Sequence, residues 1–462
     1  MSAKFGTSGL RGLVTELTED VVTSHVQAFL RACGHGGQLF VGQDLRPSSP
    51  ELAQVIHNAA AAVGVLTIDC GALPTPALAL AAMGAGASAI MVTGSHIPAD
   101  RNGLKFYTPT GEITKSDEDA IVNALQEPVF GTRDNNANVS SDAAAAYVSR
   151  YTDAFGADAL SGLKLGVYMH SAVGRDLLVL VLRSLGAAVT EIERSDSFIP
   201  VDTEAVAPEL RRKLPGWTTT LGLDAVVSTD GDSDRPLVAD EQGTIVPGDV
   251  IGQICAAELA AEVVATPVSS NSGLELSKRH DTTFRTRIGS PYVIATMNEA
   301  SNRRTIGYEA NGGFLLGFDW VSPTGAVLPR LPTRDAFLPI LLPLVAAKRE
   351  GISLSARVAQ EPQRFAKSDR LQNVETALSA EFVYQLSNDK KARDAYLGTS
   401  FEISEINTTD GLRMIGSDGR IVHIRPSGNA PELRLYVEAR SEPDAVNLLE
   451  NELSKLDRIF FG

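Results

Sequence analysis

The order of hydrophobic periodicities constrains this chain most. Over most of its length, short apolar runs of strand length alternate with helical patterns; near the end, strands follow one another directly. Glu19 to Cys33 reads as an amphipathic helix, Gln38 to Val41 as a strand, and Ser48 to Val63 as a helix opened by Ser48, Ser49 and Pro50. Val65 to Asp69 reads as a strand, Thr75 to Met83 as a helix and Ala87 to Val92 as a buried strand. This βαβ alternation predicts a doubly wound sheet, with ligand chemistry at the carboxyl ends of its strands. Gly131 to Asp142, with Asn135, Asn136 and Asn138, reads as a linker. A second α/β unit follows: helix Ala143 to Phe155, strand Leu163 to Tyr168, helix Gly174 to Leu185, strands Ala188 to Ile192 and Leu223 to Ser228. A third runs from about Pro247 to about Gln360, with strand signals near Val263 and Thr305 and an apolar helix from Ala336 to Ala347. The last unit is of another class. Gly411 to Ile415, Arg420 to Ile424 and Leu433 to Glu438 read as strands, with a turn at Ser417, Asp418 and Gly419, and a helix from Pro443 to Leu456 opens after Ser441. The expected domains are 1–140, 141–247 and 248–362, all α/β, and an α+β domain over 363–462.

At 462 residues the chain has the length of about three or four domains. Apolar residues are 44% of it, enough for proper cores, and the net charge of −15 argues against nucleic-acid binding, which needs a basic face. Cys33, Cys70 and Cys255 are scattered, without zinc spacing, and read as small buried residues in a reducing compartment. The opening MSAKFGTSGLRG has no apolar signal core, and no apolar run approaches the ~20 residues that cross a bilayer. A soluble cytoplasmic protein, with no membrane or nucleic-acid partner, is the expectation.

Several stretches carry chemistry. Thr93 to Tyr107 follows a strand, and its turn residues Gly94, Pro98, Asn102 and Gly103 are expected to leave no room for regular structure. Ser95 is then displayed at a strand end as a nucleophile, with His96 as candidate proton acceptor and Lys105 ten residues on. DGDSDR, Asp230 to Arg235, puts three carboxylates at alternate positions after a strand, an arrangement that suits a hard divalent cation. Asp230, Asp232, Asp234 and Glu241 also match EF-hand ligand positions, but Arg235 stands where that loop needs glycine. RPSGNAPELR, Arg425 to Arg434, offers a guanidinium, the Ser427 hydroxyl and backbone amides at Gly428 and Asn429, a set suited to phosphate. GYEANGGF places Glu309 and Asn311 in one loop, where a carboxylate and an amide can bind adjacent sugar hydroxyls. Arg11 lies in a Gly-bounded turn, and Arg46, beside Asp44, lies at a helix start. No GxxxxGK[ST] and no GxSxG occur, which excludes a P-loop and a nucleophile elbow.

Taken in this order, FGTSGLRG, TGSHIPADRNGLK, DGDSDR, GYEANGGF and RPSGNAPELR resemble the α-D-phosphohexomutase family across essentially the whole chain, in its bacterial phosphomannomutase/phosphoglucomutase branch. The resemblance implies three α/β domains with mixed sheets and a C-terminal α+β domain around a central cleft. It implies a phosphoserine at Ser95, one Mg²⁺ per chain held by Ser95, Asp230, Asp232 and Asp234, and Arg235 contacting the phosphate. Lys105, Arg11 and His96 would serve catalysis, with Lys105 among cations. Glu309 and Asn311 would read the sugar, and Arg425, Ser427, Gly428, Asn429 and Arg434 would grip the distal phosphate. The implied activity interconverts mannose 6-phosphate and mannose 1-phosphate through a hexose 1,6-bisphosphate, which is also the activator, and feeds nucleotide-sugar and polysaccharide synthesis. The implied partner is the hexose phosphate, and the implied state a monomer or weak homodimer. A phosphoglucomutase or dual-specificity enzyme is the alternative, and a metal-dependent sugar phosphatase or a non-catalytic sugar-phosphate binder lies further off. The chain departs from the family pattern at Asn311, commonly Ser; at Gly313, where some bacterial members have His; and at Asn429 and Ala430, commonly Thr and Glu.

Overall fold

The computed structural model describes residues 3–6, 9–135, 137–398, 401–427 and 431–462. They form two compact units, Met1–Val264 with Gly289–Gln360, and Ala265–Ile288 with Glu361–Gly462.

In the first unit, strand Ser88–Val92 lies inside a mixed sheet and is buried at every residue, as a strand covered on both faces must be. Gln38–Gln43 pairs with it in parallel, and Leu66–Ala72 continues the parallel part. On the other side Arg101–Thr108 runs antiparallel to it and then pairs with Gly9–Leu13. Asn102, Gly103 and Lys105 are thus strand residues, not parts of a loop; the turn ends at Asp100. Two tertiary contacts override the local turn signal. Asn102 Nδ2 donates to the Ser48 and Ser49 hydroxyls at 2.9 and 3.0 Å. Gly103 lies opposite Arg11, where a Cβ would be 2.4 Å from Leu10 O. Asn138–Val139 extends the far edge beside Leu66–Ala72, so the expected linker contributes a strand.

A second sheet has the order Ala188–Arg194, Lys164–His170, Ala225–Thr229, Pro236–Asp240, parallel except for the last pair. Helix Pro208–Leu221 has no counterpart in the sequence reading, because Pro215 inside it interrupts the pattern. Thr305–Tyr308, Phe314–Leu316 and Leu331–Asp335 pair antiparallel. The Asp335 carboxylate accepts from the Tyr147 and Tyr151 hydroxyls and from the Phe337 amide, tying helix Asp142–Phe155 to helix Phe337–Glu350.

In the second unit, an antiparallel sheet runs Phe365–Gln372, Glu432–Ala439, Ile421–Pro426, Leu412–Gly416, Ile403–Asn407. Leu412, Met414, Val422, Ile424, Leu433 and Leu435 form its core with Leu456 of the closing helix Glu442–Phe460. The Ser441 hydroxyl caps that helix by accepting from the Asp444 amide. Helices Thr376–Asn388 and Lys390–Leu397 add to the expected β-β-β-α order. Cys33 and Cys255 are buried, whereas Cys70 is only half-buried. No helix among the described residues is long and apolar enough to cross a membrane.

Candidate active site

Three strand ends converge in the first unit. Ser88–Val92 leads to Ser95, Gln38–Gln43 to Asp44 and Arg46, and Ala225–Thr229 to Asp230. Ser95 is fully buried and has φ +55, a left-handed conformation strained for a non-glycine residue. Its amide donates to Thr93 Oγ1 at 2.8 Å, and Thr93 Oγ1 donates to Asp44 Oδ2 at 2.7 Å. Its hydroxyl donates to Asp230 Oδ2 at 2.6 Å, while His96 Nδ1 lies 3.4 Å away. The nearer acceptor is therefore Asp230, not His96. Arg235 Nη1 donates to His96 Nδ1 at 2.9 Å, and burial, with Arg235 and Arg11 beside it, lowers the imidazole to about 4.

Asp230, Asp232 and Asp234 are all buried, and one oxygen from each lies within 4.8 Å of the others. Asp230 Oδ1 accepts the Asp234 and Arg235 amides at 3.1 and 3.2 Å, closing the turn that carries all three acids. Burial, then the charges of Asp232 and Asp234, push the Asp230 carboxyl well above the usual range. Lys105 Nζ donates to Asp232 Oδ2 at 2.5 Å and to Asp234 Oδ2 at 2.6 Å, so its direct partners are two acids, and Arg334 shares the Asp234 oxygen. Thr75 Oγ1 also donates to Asp232 Oδ2, at 2.6 Å. Burial pushes the Asp232 carboxyl up, but Lys105, Thr75 and Arg334 outweigh it and hold the group below its ordinary range. Asp232 Oδ1 and Asp234 Oδ1 are buried without a hydrogen-bond partner. Two orphaned carboxylate oxygens beside a third acid fit a hard divalent cation, which takes oxygen ligands. The EF-hand alternative fails: Glu241 is occupied with Ser355, and strands flank the turn.

Three guanidinium groups share this neighbourhood. Burial, then Arg235 and Arg334, lower Arg11 to about 10. Arg334, from strand Leu331–Asp335, reaches Asp234 Oδ2 at 3.1 Å and Glu309 Oε2 at 3.7 Å. Glu309 is buried, and burial raises its carboxyl. Asn311 Oδ1 accepts from the Gly313 amide at 2.9 Å, so that oxygen closes its own turn. The Asn311 carbonyl accepts from Thr203 Oγ1 at 2.8 Å. A Cβ on Gly313 would lie 2.9 Å from Arg334 Cδ, so Arg334 fills the space that a larger residue would need. Arg334 and Thr75 escape the motif reading; an arginine just ahead of the apolar run Ala336 to Leu342 is the signal that could have marked the first.

In the second unit, Arg425 and Arg434 lie directly opposite each other on paired strands. Arg425 Nε donates to Asp410 Oδ1 at 2.8 Å, and Arg434 Nη2 lies 3.8 Å from Glu432 Oε2. Like charges facing across a ladder are unfavourable without an anion between them. Ser427 is buried, with its amide donating to Glu432 O at 2.9 Å. Gly428 and Asn429 lie outside the described residues.

Family models match nearly the whole chain: phosphoglucomutase/phosphomannomutase alpha/beta/alpha domain I over residues 2–132, domain II over 145–243, domain III over 247–365, and the C-terminal domain over 357–456. The chain belongs to the phosphoglucomutase/phosphomannomutase family. Within that family it is 45% identical over 473 residues to a phosphomannomutase of Sinorhizobium fredii, covering 99% of each chain. It is 44% identical over 458 residues to a phosphomannomutase of Salmonella muenchen, covering 98% of this chain and 95% of that one. The fold matches a crystal structure of a putative phosphomannomutase from Thermus thermophilus, with TM-score 0.78, 23% identity, and coverage of 99% of this chain and 100% of the other. The four-domain α/β phosphohexomutase architecture expected from the motifs is thus the family's own, mixed sheets included.

Proposed function

We propose that this chain is a phosphomannomutase that interconverts mannose 6-phosphate and mannose 1-phosphate through phosphorylated Ser95 and a hexose 1,6-bisphosphate. One observation carries the reading: the Ser95 hydroxyl is held 2.6 Å from Asp230 inside a buried cluster of three carboxylates. The names of the two relatives at 44–45% identity favour mannose over the glucose alternative.

Phosphorylated Ser95 transfers its phosphoryl group to the free hydroxyl of the hexose phosphate; the P–Oγ bond breaks and a P–O bond to the sugar forms. The reverse transfer from the other end of the bisphosphate restores the enzyme. Lys105, held between Asp232 and Asp234, gives a proton to the departing Oγ and recovers one from the attacking hydroxyl. Arg11 and Arg235 offer positive charge to the phosphoryl oxygens as they pass between Oγ and the sugar. His96, accepting from Arg235, orients that guanidinium. Glu309 and Asn311 hold sugar hydroxyls. Arg425, Ser427, Gly428, Asn429 and Arg434 grip the distal phosphate. Ser95, Asp230, Asp232 and Asp234 would hold one Mg²⁺, which when bound supplies charge neutralisation at the transferring phosphoryl group. The division of labour follows domains 1–140, 141–247, 248–362 and 363–462, in a chain working in the cytoplasm as a monomer or weak homodimer.

A coupled assay with added hexose 1,6-bisphosphate tests the reading. The expected result is faster turnover of mannose 1-phosphate than of glucose 1-phosphate, and near-complete loss in Ser95→Ala together with the covalent phosphate. Full activity in Ser95→Ala would sink the mechanism; net release of inorganic phosphate would make the chain a phosphatase.

A further inference from the structure

Arg46 is 1% exposed, and each of its five guanidinium N–H groups has an acceptor. Nε donates to Asp44 Oδ2 at 3.1 Å. Nη1 donates to the carbonyls of Pro98 and Arg101 at 2.7 and 3.1 Å. Nη2 donates to those of Ser95 and Ile97 at 2.9 and 2.6 Å. Three carbonyls of one turn and that of Arg101, at the start of the next strand, therefore point at a single guanidinium. Such an arrangement repels itself without a cation at its centre, and only a planar fork can serve all four. The Phe198 ring covers the guanidinium carbon at 4.1 Å and also borders Gly231 of the acidic turn. Gly94 also lies against the guanidinium: a Cβ there would lie 2.7 Å from Arg46 Cζ. Asp44, the anion of the pair, also accepts from Ser49 Oγ and Thr93 Oγ1, both at 2.7 Å, and Thr93 Oγ1 in turn receives the Ser95 amide.

We propose that Arg46 is a positioning residue for phosphoryl transfer: it holds Ser95 in its left-handed conformation so that Oγ stays aimed at Asp230. The proposal rests on the phosphoserine reading above. Arg46 is buried and acts only through the turn it gathers. A serine at φ +55 persists only when its surroundings over-determine it, and the one guanidinium that binds the turn at Ser95, Ile97 and Pro98 and the strand start at Arg101 does so. A lysine would keep the charge opposite Asp44 but has three donors on a flexible stem, too few for four carbonyls and a carboxylate.

Two variants test this, with kcat, KM, thermal midpoint and Ser95 phosphorylation measured for each. Arg46→Lys removes the fork and keeps the cation. Gly94→Ala keeps every charge and pushes the guanidinium away from the turn. Misplacement of a reacting group by about 1 Å costs roughly 100-fold in rate, so the expected result is a kcat loss of tenfold to hundredfold with KM near the wild-type value in whichever variant folds. The same loss in both would identify the gathered turn, and not the charge, as the cause. A folded variant of either kind that turns over at the wild-type rate, or one that loses KM and keeps kcat, overturns the proposal. A lowered thermal midpoint with unchanged kcat also overturns it, because that is what a purely structural arginine does. Wild-type protein incubated with hexose 1,6-bisphosphate is the control. If it carries no phosphate on Ser95, the phosphoserine reading fails and the proposal with it. If it does and Arg46→Lys has wild-type kcat, the proposal alone fails.

Discussion

Ser95 donates to one buried carboxylate and Lys105 to two others, so hydroxyl and ammonium belong to a single polar network. The neighbour in sequence, His96, is drawn off by Arg235. Burial acts as strongly on a histidine of the second unit. His423 Nε2 donates to the Asp410 carbonyl at 2.6 Å, and its Nδ1 is buried without a partner. Burial lowers this imidazole from 6.5 to about 4. Above pH 6.5 neither the folded nor the unfolded chain is protonated here, and the contribution is fully present. As pH falls from 6.5 towards about 4, the unfolded chain takes up a proton that the folded chain refuses, and stability is lost. The loss attributable to His423 at about pH 5 is about 2 kcal/mol. Urea unfolding of His423→Gln should show a correspondingly smaller decline between pH 7 and pH 5 than the wild type. Parallel declines would mean that His423 is not the group responsible.

Among the elements, strand Arg101–Thr108 separates local signal from tertiary outcome most clearly. Asn102 and Gly103 are turn residues by propensity. In the sheet, Asn102 finds two hydroxyls and Gly103 gives strand Gly9–Leu13 room to close. Gly103→Ala should therefore push Leu10 and Arg11 off their register. The expected cost is about 1–3 kcal/mol of stability, as for other overpacked sites, together with reduced turnover, since Arg11 moves with its strand. Urea unfolding and the coupled assay check both; an alanine accepted without loss would mean that the neighbouring strand yields easily. Helix Pro208–Leu221 fails in the other direction, since Pro215 hides a helix that packing nonetheless completes, with Leu210 and Leu214 buried. The acidic turn between Ala225–Thr229 and Pro236–Asp240 was legible, because its alternate aspartates and the flanking apolar runs point the same way.

At the scale of the molecule, the first unit gathers three carboxylates against Lys105 and Arg334, and two acid oxygens remain without a partner. A divalent cation satisfies that arrangement. Chelation with EDTA should abolish turnover, and added Mg²⁺ should restore it. Because a cation that binds only the folded chain stabilises it by mass action, Mg²⁺ should also raise the thermal midpoint of the chelated protein, and Asp232→Asn should remove that rise. A chelated enzyme with its full rate and no thermal response would make the acidic cluster structural. Independent of metal, the trio Asp335, Tyr147 and Tyr151 ties helix Asp142–Phe155 to helix Phe337–Glu350.

The sequence alone determined the α/β class of most stretches, the α+β class of the last, and where acids and arginines concentrate. Apolar runs of strand length bounded by glycine and proline, and acids or arginines concentrated just past them, are local patterns that need no knowledge of the rest of the chain. The Ser95 turn and the DGDSDR acids that gather beside it were legible on that basis, as was the order of α/β domains followed by a different last domain. Partners were not. That Asp230 and not His96 is the nearer acceptor for the serine hydroxyl, that Lys105 sits between acids, that Arg334 fills the space beside Gly313, and that Arg46 gathers the serine turn all depend on residues brought together from distant positions. The physical reason is that desolvation and hydrogen-bond geometry are properties of what surrounds a side chain. Only the folded chain supplies those surroundings.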